Sequence, residues 1–394
     1  MTLWFIEPRD PLVVRDGRPN RGRSESRTIP FPYPSTVAGL ARTRLGADED
    51  GAFALGGHLD ELRLAGIRGP LLADPEANEA LAPAPRDCQL LARNGRIEAR
   101  SVRPIELPDG AATDDIGGLQ LVGLPAGEAP PGKGPRELPA WWRWAHFAQW
   151  LAAPGSLDAA AVVREGIRPL PSENRVHVAI GPSGTAAEGM LFETVGLRFA
   201  APPTSQRRRG EVNWGAARPL ALLVDVPETE IAGRRRAVRE GMAPAGGERR
   251  LVQWHRATEL ELPRMPEPVR DWLKKQRGEA ARVRLVLLTP ALFYAGWRPG
   301  AAGEQLLAPR HGVTPRLVAA CVPRPETVSG WDFETRRPKA TRRAASAGSV
   351  YWLDLHGRPD DRVRWAQQMW MSNISDGEQD RRDGFGLAAI GVGA

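Results

Sequence analysis

The chain has 394 residues, 42% of them hydrophobic, which suits two or three domains with real cores. Its net charge of +7 and pI of about 10.0 favour an acidic partner, nucleic acid being the commonest. Only two cysteines, Cys88 and Cys321, are present; they exclude a disulfide framework or a cysteine-based zinc site and suit a reducing cytosol.

The cations are almost all arginine, with only Lys133, Lys274, Lys275 and Lys339 as lysines, and the chain is also rich in Ala, Gly and Pro. GC-biased codon usage alone produces that pattern, so the clustering of arginine carries more information than its total. The opening MTLWFIEPRD lacks the basic and apolar regions of a signal peptide, and no apolar run approaches the ~18 residues of a membrane span. The expectation is a soluble, cytoplasmic protein.

In chain order, Leu3 to Ile6 is an apolar run ended by Pro8, a buried strand. The loop after it carries Arg15, Arg18, Arg21, Arg23 and Arg27. Ser35 follows Pro34 as an expected N-cap, and Val37, Leu40 and Leu45 are near helical spacing, with Arg42 and Arg44 on the same helix. Ser35 either caps that helix or, with the free N–H groups there, helps to receive a phosphate. Residues 63–105 alternate apolar runs with turn formers and read as strands, whereas 108–139, dense in Gly, Pro and Asp, reads as an inserted loop. Trp141 to Leu151 is predicted as an amphipathic helix whose four tryptophans form a core or partner-docking face.

Asn174 to Ala200 predicts a hairpin with arms Val176–Ile180 and Met190–Thr194. Its small, polar tip can lie close against a backbone. His177 sits inside an alternating strand and reads as structural. Pro202 and Pro203 mark an expected domain boundary, giving units 1–205 and 206–394, and Arg207, Arg208 and Arg209 follow at once. The second half opens with a strand, Leu220–Val226, then a predicted helix carrying Arg234, Arg235, Arg236 and Arg239, then strands near Leu251 and from Val283 to Leu288. VRLVLLTPALFYAGWRPG loosely echoes FIEPRDPLVVRDGRP and hints at a duplicated fold.

Ser329 to Leu355 carries the most informative chemistry. Trp331 and Phe333 lead into a basic loop with Arg336, Arg337, Lys339, Arg342 and Arg343, after which Gly348 and Ser349 open a strand, Val350–Leu355. Burying unpaired charge costs several kcal/mol per ion, so the loop of this predicted hairpin faces either water or a polyanion. Arginine can grip a phosphate bidentately, and the aromatics offer base-stacking surfaces. A helix, Arg362–Met371, and the tail DGFGLAAIGVGA end the chain. The tail satisfies GxGxxA but opens no βαβ unit, so it reads as a glycine turn at Gly384 and Gly386 feeding a strand, Leu387–Val392. There is no GxxxxGK[ST], HExxH or GxSxG, and the six histidines are scattered singly, so metal hydrolysis and triad chemistry lack support.

Taken together, FIEPRDPLVVRDGRP, FPYPSTVAGLART, NRVHVAI with GTAAEGMLFE, LLTPALF, SGWDFETRRPKATRRAASAGSVYWLDL and GFGLAAIG resemble, in order, the RAMP superfamily of CRISPR effector proteins. More narrowly they are similar to the type III-B (Cmr complex) subunit that caps the guide RNA at its 5′ handle. The resemblance implies an α+β chain of two ferredoxin-like (RRM-like, βαββαβ) domains with inserted loops and a glycine-rich loop near the C-terminus. It implies a noncatalytic, cofactor-free subunit that grips the crRNA handle and docks the large polymerase-like subunit and other RAMP subunits, meeting target RNA only indirectly. It adds Arg175, Ser349 and the backbone at Gly384 and Gly386 to the RNA-contact set. The alternative is a metal-independent endoribonuclease that trims guide precursor, since some RAMP proteins cut RNA with His, Tyr or Lys. A DNA-binding regulator lacks any helix-turn-helix signature.

Overall fold

The computed structural model describes residues 2–15, 28–93, 95–107, 110, 118–125, 133–135, 137–202, 214–300, 306–332 and 337–393. In chain order its main elements begin with β1 (Leu3–Pro8), α1 (Pro34–Leu45), β2 (Arg68–Asp74), β3 (Glu79–Pro83), β4 (Trp141–Arg143) and α2 (Trp144–Ala152). A long hairpin of β5 (Ser172–Ile180) and β6 (Ala186–Leu197) follows, then β7 (Ala221–Asp225), β8 (Gly241–Ala245), β9 (Arg250–Arg256) and α3 (Glu267–Lys275). The last part holds β10 (Ala280–Leu287), β11 (Thr314–Cys321), β12 (Val350–His356), α4 (Pro359–Met369) and β13 (Ala388–Val392). The chain is α+β, built on two antiparallel sheets. The first has the order β8-β9-β1-β7-β2-β3-β4, the second β11-β12-β10-β13.

The first sheet is covered on both faces, which is why β1 and β7 read as unbroken apolar runs. Leu3 and Phe5 face the core shared with the second sheet, where Leu285, Tyr351 and Trp365 also lie, whereas Trp4 and Ile6 face α1. Burying such a side chain contributes roughly 1.5–3 kcal/mol. On α1, Val37, Ala38, Ala41 and Leu45 are buried along one stripe, Pro34 occupies the first turn, where its missing N–H is tolerated, and the helix stops at Gly46. The two halves are also locked by a buried ion pair. Arg284 of β10 pairs with Asp87 and donates to the carbonyls of Val392 (2.7 Å) and Trp150 (2.7 Å), so its charge is fully engaged.

Several expectations are corrected. The boundary at 205/206 does not divide the sheets, because β7 lies between β1 and β2 and pairs with both. Proline marks a local break, whereas sheet membership is decided by non-local pairing. The helix expected around Arg234–Arg239 is a hairpin: Thr229–Ile231 pairs with Arg234–Arg236 across a two-residue turn, Ala232-Gly233, in which both residues have positive φ (54° and 67°). Trp141–Arg143 is an edge strand, and the predicted helix begins only at Trp144. In the segment read as an inserted loop, Leu121–Gly123 pairs with Arg103–Ile105, and Leu119 and Val122 pack on the core shared by the two sheets. The strand arms of 172–197 and the final strand form as expected, with the hairpin arms longer than their apolar residues indicated.

Candidate nucleic-acid interface

The basic segment forms a bent hairpin that closes at Ala344, ahead of β12. Glu326–Val328 pairs with Arg342–Ala344, and farther out Trp331–Asp332 pairs with Arg337–Pro338; the tip, with Arg336, lies outside the described residues. Its root is fixed. Val328 and Ala344 are buried in the core that contains α1, Tyr33 donates to the Thr327 carbonyl at 3.2 Å, and Ser329 Oγ donates to the Lys339 carbonyl at 2.8 Å. Strand pleating then sends neighbouring side chains to opposite faces. Arg342, itself half exposed, grips the largely covered Asp380 bidentately (2.7 and 2.8 Å), while Arg343 is exposed on the other face beside a cavity of about 450 Å³ lined by Leu121, Val122, Trp297, Ala320 and Val322. Arg337 and Lys339 are exposed as well.

A rooted hairpin carrying Arg337, Lys339 and Arg343 presents positive charge at low entropic cost. Apolar cavity walls with one guanidinium at the rim can accept a base whose phosphate the guanidinium grips. Burial pushes the Glu326 carboxyl at the hairpin root up to about 7, with Arg86 opposing, so this acid cancels little of the hairpin's positive charge below neutrality.

Residues 4–393 match the family described as CRISPR-associated protein (Cas_Cmr3). The chain belongs to this family. No curated protein matches it. Among solved structures, a chain of the type III-B Cmr-beta complex bound to cognate target RNA aligns over 89% of this chain and 86% of its own, at 13% identity and a TM-score of 0.42. The same values hold for a chain of that complex bound to target RNA and AMPPnP. A chain of the Csm3-Csm4 subcomplex of the type III-A interference complex aligns over 91% and 94%, at 8% identity and a TM-score of 0.30.

In this Cas_Cmr3 chain the other residues expected at RNA fall into three groups. Arg15 is exposed near Glu248 (3.3 Å), and Arg175 lies on β5 against Glu173 (2.7 Å), so both have charge near the surface. Arg18, Arg207 and Arg208 lie outside the described residues, and of Trp331 only the backbone is described. The third group is internal. Arg42 is bound to Asp383 (2.6 Å) and to the Ala65 carbonyl, and Ser349 is fully buried with its hydroxyl on the Ser346 carbonyl. Ser35 is not the N-cap; that residue is Tyr33, whose carbonyl accepts from Thr36 and Val37.

The glycine turn is internal too. Gly384 and Gly386 have φ of +94° and +83°, and a side chain on Gly384 would collide with the Gly69 carbonyl. The Gly386 N–H donates to the Pro290 carbonyl (2.8 Å), that of Leu387 to Thr289 Oγ1 (2.8 Å) and that of Phe385 to the Asp380 carbonyl (3.0 Å). No N–H from 384 to 387 is left for a guide, because that of Gly384 meets the Arg381 carbonyl. Close approach does explain these glycines, but what approaches is the protein's own backbone.

Tyr351 and His177, a tyrosine and a histidine of the kinds that related nucleases use, are likewise engaged. Tyr351 is fully buried and donates to the Trp297 carbonyl at 2.6 Å, and burial raises its phenol well above the usual value. His177 stacks on Phe192 and contacts Thr194 Oγ1 at 2.8 Å. On the opposite face of that hairpin Val176, Ile180 and Leu191 are exposed. Sequence reasoning missed the arginines at 234–239 as surface groups; the Ala232-Gly233 turn between two short strands was the available signal.

Proposed function

We propose that this chain is the RNA-binding subunit of a type III-B CRISPR effector, gripping the 5′ handle of the guide RNA and docking the large polymerase-like subunit. The observation that carries this reading is the rooted hairpin with Arg337, Lys339 and Arg343 exposed, in a chain of the Cas_Cmr3 family. Strand order supports the two-domain ferredoxin-like interpretation. β9-β1-β7-β2 and β13-β10-β12-β11 both follow the fourth-first-third-second order of a βαββαβ unit, with α1 crossing between the first and second strands in one and α4 between the third and fourth in the other. The role is noncatalytic, in keeping with the burial of Tyr351 and the packing of His177. No described helix is long and apolar enough to cross a membrane. The cytoplasm, with its RNA and its other effector subunits, is the proposed compartment.

The test is fluorescence anisotropy with a handle-bearing guide RNA and with the same RNA carrying a scrambled handle, run alone and with the other subunits, beside a cleavage assay on repeat RNA in EDTA. Preference for the intact handle without cleavage is expected. Cleavage in EDTA that disappears in His177→Ala would replace this reading with the endoribonuclease.

A further inference from the structure

The arginines of 234–239 do not belong to the hairpin face. They sit near the C-terminal end of α1, whereas Tyr33 meets the basic hairpin at the other end, and a helix of this length spans about 18 Å. Arg236, Arg239 and Arg256 line a cavity of about 450 Å³ together with Arg235 and Glu240, with Trp4 beneath. Arg235 pairs with Glu228 outside the cavity, and the Glu240 carboxylate accepts from the backbone N–H of Arg256 at 3.1 Å. No acid among the described residues forms a salt bridge with the side chains of Arg236, Arg239 or Arg256.

Other features add to this imbalance. Arg44 reaches from α1 to the carbonyls of Arg239 (2.7 Å) and Glu240 (2.9 Å), which fixes that segment and brings a further cation behind it. Burial, and after it repulsion from Arg239, lowers the Arg44 pKa. Two buried donors on lining residues, Arg236 Nε and Trp4 Nε1, have no acceptor. The Arg256 guanidinium lies 5.5 Å from the centroid of the Trp4 ring, held over its face. Like charges gathered beside unpaired donors leave a deficit that an oxyanion with several acceptor oxygens would relieve.

We propose that the groove of Arg236, Arg239 and Arg256 is a phosphate-binding site that holds the sugar-phosphate backbone of single-stranded RNA, apart from the basic hairpin. The RNA ligand rests on the function proposed above; the phosphate site does not. Guanidinium forks at the rim with no exposed aromatic among them suit backbone rather than base, so binding here is indifferent to sequence.

The test uses the full chain with two probes, pyrophosphate by thermal shift and a fluorescein-labelled oligouridylate by anisotropy across a salt series. Arg239→Gln and Arg256→Gln are the variants, because neither side chain holds a structural hydrogen bond, and Arg239→Lys keeps the charge. The expected result is a pyrophosphate stabilisation that the Gln variants lose, RNA binding weaker by roughly tenfold per contact, and a salt slope shallower by about 0.7 per phosphate contact removed, with Lys retaining most of the affinity. Absence of any pyrophosphate shift in the wild type overturns the site. RNA affinity and salt slope unchanged in both Gln variants overturns the RNA ligand, and if assembly with the other subunits is lost instead, the groove meets an acidic protein surface. A wild type that binds no RNA yet keeps an Arg239- and Arg256-dependent pyrophosphate shift refutes the RNA-binding function while the phosphate site stands.

Discussion

Arg42 and Asp383, 341 residues apart in sequence, meet at 2.6 Å, with the same guanidinium donating to the Ala65 carbonyl through Nε and Nη2. The pair fastens α1 to the turn that precedes Gly384. Both side chains are largely covered, so removing one leaves a partly buried, uncompensated charge. Arg42→Ala is expected to lower stability by about 2–3 kcal/mol in chemical denaturation while RNA affinity per folded molecule stays unchanged. Weaker RNA binding with an unchanged unfolding midpoint would show that Arg42 touches RNA after all.

Gly386→Ala separates a structural turn from an RNA contact. The residue has φ of +83°, and an added Cβ would lie 2.8 Å from the Ser375 nitrogen and 3.0 Å from that of Ile374. Left-handed strain and overpacking together predict a loss of about 2–4 kcal/mol. Anisotropy corrected for the folded fraction should match the wild type, and a larger fall would return the turn to the RNA interface.

For the hairpin, the expected outcome is the reverse. Replacing Arg337, Lys339 and Arg343 together by Ala should leave stability within about 0.5 kcal/mol, since all three are exposed. Handle RNA should bind more weakly by several kcal/mol at most, because charge-assisted contacts contribute ~1.5–3 kcal/mol each and do not add simply. The salt dependence of binding should flatten in parallel. Equal affinities before and after the substitutions would make this a merely solvated loop.

Glu326 gives a pH signature. Its carboxyl is pushed up to about 7 by burial, above the usual range of a free glutamate, so between about pH 4.5 and 7 the folded state holds more protons than the unfolded one. Stability therefore falls as pH rises through that window. Glu326→Gln should remove this part of the pH dependence, on the order of 2 kcal/mol after allowance for partial exposure. Denaturation midpoints measured at pH 5 and pH 7.5 check it: a wild type and variant with identical pH profiles would assign the effect to other groups.

Much of the architecture follows from local pattern. β1 and β7 are apolar runs because the first sheet is covered on both faces, and β5 alternates because one of its faces is more exposed than the other. The glycine turn into β13 could be placed from the sequence alone, since Gly384 and Gly386 stand directly before an apolar run. The ordered motifs also carried the resemblance to CRISPR effector proteins that residues 4–393 bear out. What local pattern leaves open is which partner each side chain meets. Arg42, Arg342 and Arg343 are chemically alike in sequence, yet Asp383 claims the first, Asp380 the second, and only Arg343 faces the cavity. Gly384 and Gly386 likewise signalled a close approach without naming what comes close, and the fold supplies Gly69 and Ser375. Charge and conformational freedom are written in the chain; whether they are used inside or outside depends on tertiary contacts, from Arg342–Asp380, 38 residues apart, to Arg42–Asp383, 341 apart, which local pattern does not specify.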